Sequence, residues 1–211
     1  PYAHATFTVE ARDAAASMDG VKLVLTASDI EGHGGLKCHT VLKQVDGTMH
    51  DTKDIPLLCE GVVRHVGDAI AFVVAETEAQ AREAGEAIEV DFDMLPAAVD
   101  TEAALADDAT LVYDDTPNNL AFEVEMGNGD KARDIFKTAP RVSELKLINN
   151  RLIFNYKETL GCVAEWSDDE DRYTRTVGSQ GVHGMRDALA KQCLNVSPDK
   201  LRVVTPDVGG G

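Results

Sequence analysis

Apolar and polar residues alternate along Ala5-Thr6-Phe7-Thr8-Val9, with Ala5, Phe7 and Val9 on one side and Thr6, Thr8 and Glu10 on the other. A period of two predicts a half-buried strand. A short Ala-rich stretch (Ala14–Ala16) and an Asp19-Gly20 turn lead to a second strand over Val21–Leu25. Residues 29–59 lose the period, gather histidines, cysteines and glycines, and read as a long irregular surface loop. Order returns with a short strand at Val62–Val66, a tight turn at Gly67-Asp68, and an apolar run from Ala69 to Ala75 that predicts a strand buried on both faces. Thr77-Glu78-Ala79-Gln80 has the spacing of a capping box, and the helix it opens runs to about Ala87. Ala81, Ala84 and Ala87 let that helix lie close to a sheet. Ile88–Phe92 resumes the alternation, so strand, helix and strand make one compact α/β unit.

Residues 95–129 carry Pro96, Pro117, Asn118-Asn119, Gly127 and Gly129 among acidic runs, and mark a boundary. Beyond it the pattern predicts a short helix over Lys131–Thr138 and strands at Val142–Ile148, Leu160–Trp166 and Arg172–Val177. Ser167–Asp171 is the solvated turn between the last two. A helix from about Val182 to Leu194 places Val182, Met185, Leu189 and Cys193 on one stripe. Ser197-Pro198-Asp199 interrupts the chain before a last strand, Leu201–Val204, and the closing glycines. The expected organisation is a domain over 1–110, a linker over 111–128 and the N-terminal part of a second mixed α/β domain over 129–211.

Composition narrows the classes. The 211 residues are 44% hydrophobic, enough for a packed core. The run Ala69–Ala75 falls far short of the roughly twenty apolar residues of a membrane span. With 20 basic against 37 acidic residues the formal charge is −17, a field that repels phosphate backbones and argues against nucleic acid as a partner. The cysteines, at 38, 59, 162 and 193, form no C-x-x-C pair; zinc-ribbon and ferredoxin-type spacings are lacking, and buried thiols in a reducing compartment are expected. His33, Cys38, His39, His50 and Cys59 offer zinc-ligand chemistry at spacings that match no standard site. The first residue is Pro1, no signal segment follows, and the last three residues are glycines, so the chain reads as a piece of a longer polypeptide.

Several stretches together carry a resemblance. They are Pro1-Tyr2-Ala3-His4-Ala5, Val66-Gly67-Asp68-Ala69-Ile70-Ala71, Ala75-Glu76-Thr77-Glu78-Ala79-Gln80-Ala81, and Val90-Asp91-Phe92-Asp93-Met94-Leu95-Pro96-Ala97. After them come Asn149-Asn150-Arg151-Leu152, Gly178-Ser179-Gln180-Gly181-Val182-His183, and Val203-Val204-Thr205-Pro206-Asp207-Val208-Gly209-Gly210-Gly211. In this order they resemble the large, molybdopterin-binding subunit of the xanthine dehydrogenase and aerobic carbon monoxide dehydrogenase family. The resemblance covers nearly the whole chain. It implies an α/β hammerhead domain followed by the beginning of a molybdenum-cofactor-binding domain.

The resemblance also implies site residues. The glutamine of the family's Ser-Gln or Thr-Gln pair approaches the oxo ligands of molybdenum, which places Gln180, with Gly181, at the cofactor. An amide donates hydrogen bonds to an oxo group without adding charge. The alternative is a helix-start residue that caps backbone amides. Gly209, Gly210 and Gly211 match the start of the family's Gly-Gly-Gly-Phe-Gly loop beside the metal; a plain Gly-rich linker is the other reading. Glu158 matches a family glutamate, but its surroundings read Lys157-Glu158-Thr159-Leu160 where the family often has Met-Glu-Pro-Arg, and a structural carboxylate is expected. His183 is expected as a core hydrogen-bonder and receives no role.

By resemblance, the parent protein is a molybdenum hydroxylase that oxidises its substrate with oxygen drawn from water and passes two electrons onward. The implied cofactor is molybdenum-molybdopterin in its cytosine dinucleotide form. Iron–sulfur clusters and FAD would reside on partner subunits or regions, in a cytoplasmic dimer of heterotrimers. The family's catalytic glutamate lies beyond Gly211, so this chain holds no catalytic base or metal ligand and is expected to be inactive alone. A non-catalytic hammerhead module without metal is the competing class, supported by the departures around Glu158.

Overall fold

The computed structural model describes residues 2–38, 41–50, 52–149, 152, 155 and 157–209. Helices and strands mix in several small sheets. The chain divides into two units. The first takes in Pro1–Cys38, Thr52–Ala121 and Lys191–Asn195, and the second His39–Asp51, Phe122–Ala190 and Val196–Gly211.

In the first unit, β1 (Ala5–Val9) is the centre of a three-stranded antiparallel sheet, flanked by β3 (Val62–Val63) and β5 (Val90–Met94). The register sets Phe7 opposite Phe92, with ring centroids 6.1 Å apart, and the Tyr2 ring packs tilted against Phe92 at 4.8 Å. Ala5, Cys59 and Val63 form the buried centre under those rings. Burial, with the nearby charge of Asp68, pushes the Cys59 thiol up and keeps it protonated. Between β1 and β2 (Val21–Thr26) runs the short helix α1 (Arg12–Ala16). β2 pairs antiparallel with β4 (Ala71–Ala75) in a separate sheet.

Helix α2 (Glu78–Ala87) packs against β4 and buries Ala84 completely, as its small-residue face predicts. Its cap is half of the expected box. Thr77 Oγ1 accepts from the Gln80 amide at 3.3 Å, but Gln80 Oε1 takes a bond from the Thr77 hydroxyl instead of reaching the Thr77 N–H. Two further expectations change. β4 and β5 flank α2 in sequence, yet β4 pairs with β2 and β5 with β1, so the strand–helix–strand unit feeds two sheets. Phe72 is 58% exposed and Val74 38%, because a two-stranded sheet backed by one helix has only one covered face.

The irregular stretch is tied down rather than loose. Leu36 bridges to Ile55 in the first unit, and Lys43 to Met49 in the second. His50 is buried, accepts from the Leu42 N–H at 2.8 Å and lies 5.2 Å from the Phe122 ring. Residues 111–121 also gather onto the first unit. Arg64 Nε donates to the Val112 carbonyl at 2.8 Å, and the Asn119 amide clamps Ala104, Thr110 and Val112.

The second unit begins its regular structure with α3 (Gly129–Thr138), capped by Asn128 Oδ1 on the Lys131 N–H at 3.0 Å. β6 (Cys162–Ser167) and β7 (Arg172–Val177) form an antiparallel hairpin, and β8 (Leu201–Val204) joins β7 in parallel. Helix α4 (Val182–Ala188) connects β7 to β8 and packs on β8, burying Ala188 and Leu201. The helix expected to run to Leu194 ends at Ala188, where a π-type turn (Leu189–Cys193) carries the chain on. The strand predicted at Val142–Ile148 does not form. Leu145, Leu147 and Ile148 are about 80% exposed, in a stretch without regular structure. Alternation supplies a strand's faces but not the neighbouring backbone that its N–H and C=O groups must bond.

Candidate functional site

Parallel strands joined by a crossover point their carboxyl ends the same way, and ligands of α/β sheets bind beyond those ends. In the second unit that edge carries Gly178-Ser179-Gln180-Gly181 after β7 and Thr205–Gly209 after β8. The Thr205 hydroxyl donates to the Val177 carbonyl at 2.8 Å and ties the two strand ends together.

Gln180 is exposed on this edge, and its amide makes no hydrogen bond to the described residues. It is not a cap. Gly181 occupies the N-cap position of α4, which has no side-chain cap bond, and the Gly181 N–H donates instead to Ser179 Oγ at 3.1 Å. The alternative reading of Gln180 as a helix-start cap is therefore not what the structure shows. Around Gly181 there is open space, with nothing within 4 Å of where a Cβ would stand. Gly209 lies on the same edge; Gly210 and Gly211 lie outside the described residues.

Glu158, expected as a structural carboxylate, joins the two loops. It is half-buried and accepts a hydrogen bond from the Gly209 N–H. Its carboxylate also lies against Gly178, where an added Cβ would overlap Oε1 and come within 3.0 Å of Oε2. Sequence reasoning missed Gly178. Its signal was a glycine set directly between a strand and the Ser-Gln pair.

A separate cleft of about 390 Å³ in this unit is lined by Arg172, His183, Arg186 and Arg202, with Asp199. Arg172 pairs with Glu170, and Arg186 with Asp187 at 2.7 Å. His183 is exposed in this cleft, not a core hydrogen-bonder, because the helix stripe that faces β8 passes through Met185 and Ala188. Of the zinc-type residues, His33, Cys38 and Cys59 belong to the first unit, His50 belongs to the second, and His39 lies outside the described residues. Among the described residues no group of three or more His, Cys, Asp or Glu is placed to hold a metal ion. No helix among them is long and apolar enough to cross a membrane.

An uncharged donor without a partner, beside glycine backbone that leaves room for close approach, suits a bulky polar ligand. Comparison with known proteins identifies the class. The a/b hammerhead domain of aldehyde oxidase and xanthine dehydrogenase matches residues 1–96, and the molybdopterin cofactor-binding domain matches residues 112–211. The chain belongs to the xanthine dehydrogenase and carbon monoxide dehydrogenase family and corresponds to its molybdopterin-binding subunits. It is 29% identical to the large subunit of nicotine 6-hydroxylase from Paenarthrobacter nicotinovorans, over all of this chain and 25% of that one. It is 30% identical to the carbon monoxide dehydrogenase large chain of Hydrogenophaga pseudoflava, over all of this chain and 26% of that one. A solved copper- and molybdenum-containing carbon monoxide dehydrogenase superposes on the whole chain with a TM-score of 0.83 at 25% identity, over 27% of its own length. The chain thus spans about a quarter of the length of these relatives.

Proposed function

We propose that this chain is the hammerhead and cofactor-approach portion of a molybdenum hydroxylase, an oxidoreductase that binds molybdenum-molybdopterin as the cytosine dinucleotide. The observation that carries the reading is the exposed, unpartnered Gln180 amide at the carboxyl edge of β7 and β8, inside the stretch that matches the molybdopterin-binding domain. When bound, the cofactor supplies two-electron oxidation with oxygen from water. The chain's own part is orientation. Gln180 would help hold the group with an uncharged NH₂ donor, beside the open backbone at Gly181. Gly209, Gly210 and Gly211 would join it as the family's glycine loop.

The proposed organisation is a hammerhead domain over 1–110, a linker over 111–128 and cofactor-binding structure over 129–211. Electrons would leave through iron–sulfur clusters and FAD on partner subunits or regions, in a cytoplasmic dimer of heterotrimers. Relatives named as large subunits and large chains support a multi-subunit setting. The departures at Lys157, Thr159 and Leu160 favour a non-catalytic module without metal. Against it, Glu158 still reaches Gly209 despite its altered flanks.

Metal and nucleotide analysis of the full-length protein, purified with its partners, tests this reading. Near one molybdenum per chain with an equivalent of CMP released on hydrolysis is expected. Assembled protein free of molybdenum from cells that supply other molybdoenzymes would leave the non-catalytic module standing.

A further inference from the structure

We propose that Glu158 is a positioning residue of this site. Its carboxylate clasps the Gly209 loop to Gly178 and so sets where Gln180 and the glycine backbone meet the cofactor. The inference rests on the reading above for the identity of the ligand, but not for the clasp.

Three observations converge on one side chain. Gly209 donates its N–H to Glu158 Oε2, a bond strengthened by the carboxylate charge. A Cβ on Gly209 would stand 2.7 Å from the Glu158 Cβ and 2.9 Å from Oε2, so the backbone approaches closer than any other residue permits. On the other side, Gly178 accepts the same carboxylate against its Cα, two residues before Gln180. β7 and β8 fix their own register by parallel pairing and by the Thr205–Val177 bond. Beyond those points neither loop has ladder bonds among the described residues, and Glu158 touches both. A loop ordered before the ligand arrives costs less to order when it binds.

The positions should therefore behave as one device. Glu158→Ala leaves the Gly209 N–H without its acceptor. Glu158→Gln keeps an oxygen at the same reach. Gly178→Ala pushes the carboxylate away, and should do little further harm where the carboxylate is already gone.

The test uses the full-length protein with its partners and reads backbone amide exchange at Gly209 together with bound molybdenum. Glu158→Ala and Gly178→Ala are each expected to accelerate Gly209 exchange and weaken molybdenum retention by roughly tenfold. Glu158→Gln should stay within about twofold of wild type on both readings, as a retained hydrogen bond requires. The double variant should match Glu158→Ala. Wild-type exchange at Gly209 in Glu158→Ala overturns the clasp, and so does a Glu158→Gln protein as impaired as Glu158→Ala. Faster exchange with undiminished molybdenum confines Glu158 to packing and overturns its positioning role. Wild-type protein without molybdenum would instead sink the functional reading, while the exchange arm still decides the clasp.

Discussion

Two helix starts divide the labour of the molecule. At α2 in the first unit, Thr77 turns its hydroxyl onto a free backbone amide and the helix lays Ala84 flat against β4. At α4 in the second unit no side chain caps the helix, Gly181 holds the cap position, and Gln180 keeps its amide exposed. The first spends its polar side chain on stability. The second leaves a donor unused by the fold, and such a donor is available to a ligand.

The comparison breaks most readily in the packing. Leu201, 5% exposed beneath α4, is expected to cost about 2–5 kcal/mol on change to Ala, read by denaturant unfolding of the chain. Ala84→Leu should cost about 1–3 kcal/mol by overpacking α2. If both were near neutral, neither helix would be seated as described.

The helix starts themselves give opposite signatures. Gln180→Ala should leave chain stability unchanged while lowering turnover of the full-length enzyme roughly 10- to 150-fold, the worth of about 1.5–3 kcal/mol of charge-assisted hydrogen bond in the transition state. Full turnover at equal metal loading would return Gln180 to the surface. Thr77→Ala should do the reverse, losing about 0.5–2 kcal/mol of stability with the site untouched.

The smallest effect is electrostatic and sits in both units. In the first, the Thr26 backbone amide, and then the Thr26 hydroxyl and Arg12, hold the Asp29 carboxyl below its ordinary value. In the second, the Thr48 amide and hydroxyl do the same for Asp46. A carboxylate depressed by folding adds stability above its unfolded value, near 3.8, and that contribution is lost as pH falls through the lower folded value. Asp29→Asn and Asp46→Asn should each shallow the acid limb of an unfolding titration slightly. An unchanged limb in both would remove the pairings.

The elements legible in the sequence were those set by local rules. Alternation placed β1, β2 and β5, the cap spacing placed α2, and acidic turn residues placed the β6–β7 hairpin. What needed partners was hidden. Nothing in Val142–Ile148 says whether a neighbouring backbone is present to pair it, and nothing in Ala69–Ala75 says that only one face will be covered. The site divided in the same way. Gln180 and Gly209 were found through the family's motifs, whereas the grip of Glu158 on Gly178 and Gly209 depends on where three distant positions meet, which no spacing encodes.

The parallel pairing of β7 and β8 also bears on the order of assembly. The β6–β7 hairpin closes across a few residues and can form locally, but β8 must wait until the chain from Gly178 to Lys200 has folded back. The Gly209 loop follows that last strand, so the edge proposed to receive the cofactor is completed late. In pulse-labelling during refolding, the amides of Cys162–Val177 are expected to gain protection before that of Gly209. A chaperone or cofactor donor acting in that interval would meet a finished hairpin and a site still open on one side.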